Sequence, residues 1–161
     1  MNQGSTMQAA STDGRSATLA DLIVLQAAEA IVYANRDGVI ERWNAAAAAM
    51  FGFSAGEAIG GSLDLIIPER LRAAHWRGFD AAMKTGTLRL SGHPTLTRGL
   101  HKSGRKLYVE MSFSLVRDEA GQVLGSVAVA RDATERGERA MAMISASNFV
   151  AVGYMSRCST F

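Results

Sequence analysis

The chain has little cysteine, little proline, little excess of charge and no long apolar run. Its 161 residues include one cysteine, Cys158, and two prolines, Pro68 and Pro94. A lone thiol closes no internal disulfide and builds no thiolate metal cluster, which fits a reducing compartment. Cys158 reads as an incidental residue of the tail. Seventeen Lys and Arg stand against fifteen Asp and Glu, a formal net charge of +2, with the two signs interspersed. A nucleic-acid surface would show as a concentrated basic face, so no nucleic-acid partner is expected. No apolar run approaches the ~20 residues of a membrane span, so no membrane partner is expected either. The start, MNQGSTMQAASTDGRSATLA, lacks a basic segment followed by an apolar one and does not read as a signal peptide. A cytoplasmic location is expected. Signatures of independent catalysis are missing as well. The glycines of GEAIGG lack a following Lys-Ser or Lys-Thr, and there is no GxSxG elbow or HExxH pair. The chain is not expected to be an enzyme.

What is present suits one domain with short tails. Apolar residues make up 48% and charged residues 20% of the chain, enough to bury a core and too uncharged for disorder. Residues 1–17 read as a flexible segment. A short helix is expected over 18–30, with Leu19, Leu22 and Ile23 at helical spacing behind Thr18 as a cap. Two short strands follow, around Ile31–Tyr33 and Val39–Trp43, joined at Asp37-Gly38 by a hairpin turn. Asn44 reads as the N-cap of an alanine-rich helix. Several short turns follow, with capping-box spacing from Ser54 to Glu57. Pro68 opens a longer helix that stops at Thr85-Gly86.

Three strands complete the pattern. The clearest is KLYVEMSFSLVRD, where Leu107, Val109, Met111, Phe113 and Leu115 alternate with polar neighbours, so that one face is buried. It is preceded by PTLTRGLHK and followed by VLGSVAVARDAT. Consecutive hairpins make antiparallel pairing economical. The fold expected is α+β: a five-stranded antiparallel sheet with short helices over one face, an N-terminal helix before it and an exit helix after it. The central domain is placed at 30–135, with exit helix and tail over 136–161.

The stretches DGVIERWNAAAAAMFGFSAGEAIGGSLDLIIPERLRAAHWRGF and HKSGRKLYVEMSFSLVRDEAGQVLGSVAVARDATER, in that order, resemble the PAS family. The likeness runs from about Leu22 to Arg136, and RDATER, with Asp132 and Thr134, looks like the aspartate-containing exit motif. The resemblance implies a sensory module with a pocket between the central helix and the sheet, holding haem, flavin, a metabolite or nothing. The light-sensing branch needs a cysteine in the helix after the second strand. None stands there, so flavin–thiol photochemistry is excluded.

One residue of the long helix raises a chemical question. At about 100° per residue, His75 falls on the apolar stripe with Leu71, Gly78, Phe79 and Ala82, opposite Arg70, Arg77, Asp80 and Lys84. An imidazole aimed into a core needs a partner for its nitrogens. A backbone carbonyl or hydroxyl would serve, and so would iron. Haem wants apolar walls and an axial nitrogen from a fixed direction. In haem-binding PAS proteins the proximal histidine lies in this helix, at the offset that separates Pro68 from His75. In the phosphodiesterase type, the position of the sixth ligand falls on His93. The resemblance thus implies haem b with His75 and His93 as iron ligands, and Leu71, Phe79, Met83, Val109, Met111 and Phe113 as walls. Arg72 and Arg89 are candidates for the propionates, with surface salt bridges as the alternative. The oxygen-stabilising arginine of that branch falls near Thr95, while Arg98 lies out of register. Trp76 reads as a rim residue, and His101, beside the KSG turn, as exposed.

Three functions from this reading differ in their ligand. The first is a haem-binding sensor of gas or redox state that relays to a partner or output domain. The second is a cofactor-free module for dimerisation. The third is a redox sensor holding FAD. A homodimer through the N-terminal helix, the exit helix or the sheet is the expected assembly.

Overall fold

The structure, a computed structural model, describes residues 17–88 and 93–143. Residues 1–16 of the expected flexible segment 1–17, Arg89, Cys158 and the tail from 144 onward lie outside the described residues.

Helix α1 (Leu19–Gln26) opens on a capping box in which Thr18 and Asp21 bond each other's backbone N–H. It is shorter than the 18–30 expected, because Ala27 leaves helical backbone at φ −57° and ψ 137°. Strands β1 (Ala30–Asn35) and β2 (Ile40–Trp43) form the expected hairpin. Gly38 turns it with φ +76°, a conformation that side chains with a Cβ resist. Helices α2 (Ala45–Phe51) and α3 (Ala55–Ala58) carry the caps read from the sequence, Asn44 and the Ser54–Glu57 box. A 3-10 turn (Leu63–Leu65) leads into α4 (Glu69–Thr85), which Gly86 ends in left-handed conformation. Strands β3 (Thr95–Leu100), β4 (Lys106–Arg117) and β5 (Val123–Asp132) follow. A last helix, α5, starts at residue 134 and is described to 143.

The strands form one sheet in the order β2-β1-β5-β4-β3, antiparallel throughout. This is the α+β architecture expected. The alternation of β4 holds with a gradient. Leu107, Val109 and Met111 are buried, whereas Phe113 and Leu115 are half-buried.

Apolar side chains gather in two groups. The main core packs α2 on the sheet around Phe51, Ile40, Trp43, Leu107 and Val109. The smaller group joins Phe79, Ala82 and Met83 of α4 to Val123, with Leu63, Trp76, Leu88 and Leu115 against it. No helix among the described residues is long and apolar enough to cross a membrane.

Candidate functional site

Helix α4 brings one side of its surface against the 3-10 turn and the β1–β2 hairpin. Arg72, His75, Trp76 and Phe79 stand at i, i+3, i+4 and i+7, a single helical face. The imidazole of His75 stacks on Phe79, with ring centroids 5.9 Å apart and planes at 27°. It meets Trp76 edge-on at 5.2 Å. The histidine is half-buried, and its Nδ1 is fully enclosed without a hydrogen-bond partner among the described residues. Burial lowers the imidazole pKa from its ordinary 6.5, and the Asp64 carboxylate partly opposes that shift. A nitrogen left unpaired in such a place costs about 1–3 kcal/mol.

The neighbours of His75 are held by polar bonds that the sequence pattern does not display. Trp76 Nε1 donates to Asp64 Oδ1 at 2.8 Å. Its indole lies over the hairpin turn, where a Cβ on Gly38 would come within 2.2 Å of the ring. Trp76 is therefore a wedge between three elements rather than a rim residue. Arg72 spends its donors nearby, on the carbonyls of Asp64 (3.0 Å) and Ile67 (3.2 Å), with its Nε 3.7 Å from Asp64 Oδ1. This is the salt-bridging role, and it takes Arg72 away from a ligand's carboxylates. Gly78, placed on the inward stripe by the helical wheel, is exposed. The stripe is narrower than the wheel implies: only Phe79, Ala82 and Met83 of α4 are buried.

The other predicted residues divide between the two apolar groups. Met83 belongs with Phe79, whereas Val109 and Met111 sit in the main core, with Phe113 packed against it. Leu71 is half-buried. His93 is exposed at the bend before β3, and neither the hydrogen bonds nor the ring contacts of the described residues join it to His75. Thr95 pairs with Met111, while Arg98 pairs with Tyr108 and lies 4.7 Å over its ring, so Arg98 serves the sheet. His101 is half-buried rather than exposed, because its ring packs against Gly52 and its Nδ1 is 2.8 Å from Ser103 Oγ.

Haem requires an axial nitrogen, a flat apolar slot and partners for its carboxylates. His75 fits the first requirement. The slot is not open in the main core, where Leu107, Val109 and Phe51 are all 0% exposed against one another. Two cavities lined by described residues lie elsewhere. One of about 870 Å³ runs between β4, β5 and α5, lined by Arg105, Glu110, Arg131 and Arg136 among others. A second of about 410 Å³ lies along α1. Among the described residues no three His, Cys, Asp or Glu side chains gather as a metal site.

The antiparallel order 2-1-5-4-3, the helices crossing one face and a long α4 leading back to the sheet are the arrangement expected of a PAS domain. The family described as the PAS fold matches residues 25–138. This chain belongs to the PAS family. PAS domains are generally sensory modules of signalling proteins rather than catalysts.

Solved structures agree on the fold. A PAS domain from Colwellia psychrerythraea is 22% identical, with 71% of this chain and 93% of that chain covered and a TM-score of 0.62. A sensory box histidine kinase/response regulator from Burkholderia thailandensis is 16% identical, covering 81% and 95%, with a TM-score of 0.60. A light-oxygen-voltage domain, studied with a flavin analogue, is 12% identical, covering 80% and 95%, with a TM-score of 0.58. No curated protein matches the chain in sequence.

Proposed function

We propose that this PAS domain is the input module of a signalling protein and that its ligand is haem, held through His75. The observation that supports this reading is the enclosed, unpartnered Nδ1 of His75 on the packed face of α4. Burial favours the neutral imidazole, the form that binds metal. Phe79 and Trp76 fix the ring's orientation from two sides. Bound haem would supply gas-binding and redox chemistry at iron. The chain's own part is to hold the imidazole at constant depth. His93 is the proposed second ligand, at the start of the segment that enters β3.

The proposed output runs through α5. Thr134 Oγ1 accepts from Tyr108 N–H at 3.2 Å, and Arg136 pairs with Glu110 at 2.7 Å, so movement of β4 reaches the first turn of the exit helix. Exposed Leu19 and Ile23 on α1, with Met141 and Met143 on α5, give apolar surface for a homodimer in the cytoplasm.

The test is the absorption spectrum of the purified chain with and without added haem. A Soret band is expected, lost in His75→Ala and shifted in His93→Ala. A protein that stays colourless rejects haem. It would leave a cofactor-free interaction module, the reading that the closed packing of Phe51, Leu107 and Val109 favours. A broad flavin band would select FAD instead; a light-oxygen-voltage domain of similar fold was studied with a flavin analogue.

A further inference from the structure

Asn44 is the one buried polar side chain of the described residues, 1% exposed, and its two ends face different parts of the chain. Its Oδ1 accepts from Ala47 N–H at 2.9 Å, capping α2, and from Ile31 N–H at 2.9 Å, seating β1. Its Nδ2 points the other way. It lies 2.8 Å from the carbonyl of Glu29, 3.2 Å from that of Val24 and 3.4 Å from that of Ala27. An amide nitrogen has two hydrogens, so it is shared among three acceptors that span the end of α1 and its link to β1.

Little else holds α1. None of its residues is buried, and Leu19, Leu22, Ile23 and Leu25 are exposed by 40% or more. Its ion pair, Asp21 with Arg42 at 4.0 Å, is between solvent-exposed groups and contributes little. Arg131 pairs with Glu29, beyond the helix. An eight-residue helix does not persist alone in water. Among the described residues Val24 of α1 is half-buried and none is buried, so the apolar packing that usually supports a surface helix is slight.

We infer that Asn44 is a latch: its oxygen belongs to the PAS core, its nitrogen holds α1 to that core, and α1 opens as a unit when the nitrogen lets go. The core does not open with it, because the bonds made by Oδ1 are separate from those made by Nδ2. A partner or a shift in β1 that competes for the carbonyls of Val24, Ala27 and Glu29 would release the N-terminal flank. The inference is independent of any ligand at His75.

Asn44→Asp separates the two ends. A carboxylate still accepts from Ala47 and Ile31, and Asp caps helices as well as Asn, but it cannot donate to the three carbonyls. Hydrogen exchange of the full chain, followed by mass spectrometry, reads both halves. Amides 22–26 are expected to exchange about tenfold faster or more in the variant, with amides of β4 and β5 unchanged. Asn44→Ser keeps a cap and also lacks the amide, and is expected to behave alike should Asp prove disruptive. Unchanged exchange at 22–26, or a rise shared equally by β4 and β5, overturns the latch. So does a failure of both variants to fold, since the nitrogen would then be inseparable from the core.

Discussion

The main core and the α4 group are made of similar side chains but are closed to different degrees. In the first, Phe51, Ile40, Leu107 and Val109 are all at 0% exposure. In the second, Phe79 is 9% exposed, and it stacks on the half-buried His75, whose Nδ1 has no partner among the described residues. The α4 group is also tied by side chains reaching to backbone carbonyls. Arg36 donates to Val123 (2.9 Å) and Met83 (3.5 Å), and Arg117 donates to Gly86 at the helix C-terminus. A closed apolar core resists change because any opening creates a cavity. A helix attached by a few polar bonds above a looser layer can shift at lower cost. The contrast sets a closed core beside a layer that opens at lower cost.

The contrast breaks first if the two phenylalanines count alike. Phe51→Ala is expected to lose about 3–5 kcal/mol of unfolding free energy, and Phe79→Ala about 2–3 kcal/mol because its site is partly open to water. Urea denaturation of both variants gives the order, and equal losses would dissolve the distinction. Smaller, but more specific to α4, is Gly38→Ala. Left-handed backbone with a Cβ costs about 1–2 kcal/mol, and the new methyl displaces the Trp76 indole from the turn. A loss confined to stability, with the Trp76 indole resonance unmoved in an NMR spectrum, would mean that the wedge is not what the turn supports.

The smallest effect expected is a pH dependence. Folding makes the His75 imidazole harder to protonate than its ordinary 6.5. The unfolded chain therefore takes up the proton first as pH falls, and stability is lost from about pH 6.5 downward until the folded pKa is passed. Asp64, which partly opposes the shift, limits its size. In haem-free protein this decline is expected to be shallower in His75→Leu. Identical slopes for both proteins would show that the ring reaches solvent freely.

Much of the fold was legible because it rests on local rules. The period-two run of β4, the Asp37-Gly38 turn, the Ser54–Glu57 box and Gly86 after α4 each act within a few residues, where propensity and capping decide. The site was legible only in part. Helical spacing placed His75 beside Phe79, and the stacked rings agree. The role of Trp76 was not readable, and a salt bridge was one of two readings for Arg72, since their partner Asp64 and the underlying Gly38 lie in other elements. Asn44 was recognised as a cap through Oδ1. Its nitrogen faces backbone carbonyls, which every sequence possesses and which therefore leave no signal.

By itself, the order of residues determined the PAS architecture, the edges of most of its strands and helices, and the inward turn of one imidazole. Those features follow from side-chain periodicity and backbone preference, which act along the chain. Only the tertiary structure decided that Val109 and Met111 sit in the main core, that Arg72 is already engaged, and that the amide of Asn44 bonds the carbonyls at the end of α1. Each of these depends on which groups from distant segments meet. Distance through space is fixed by packing, not by spacing in the chain.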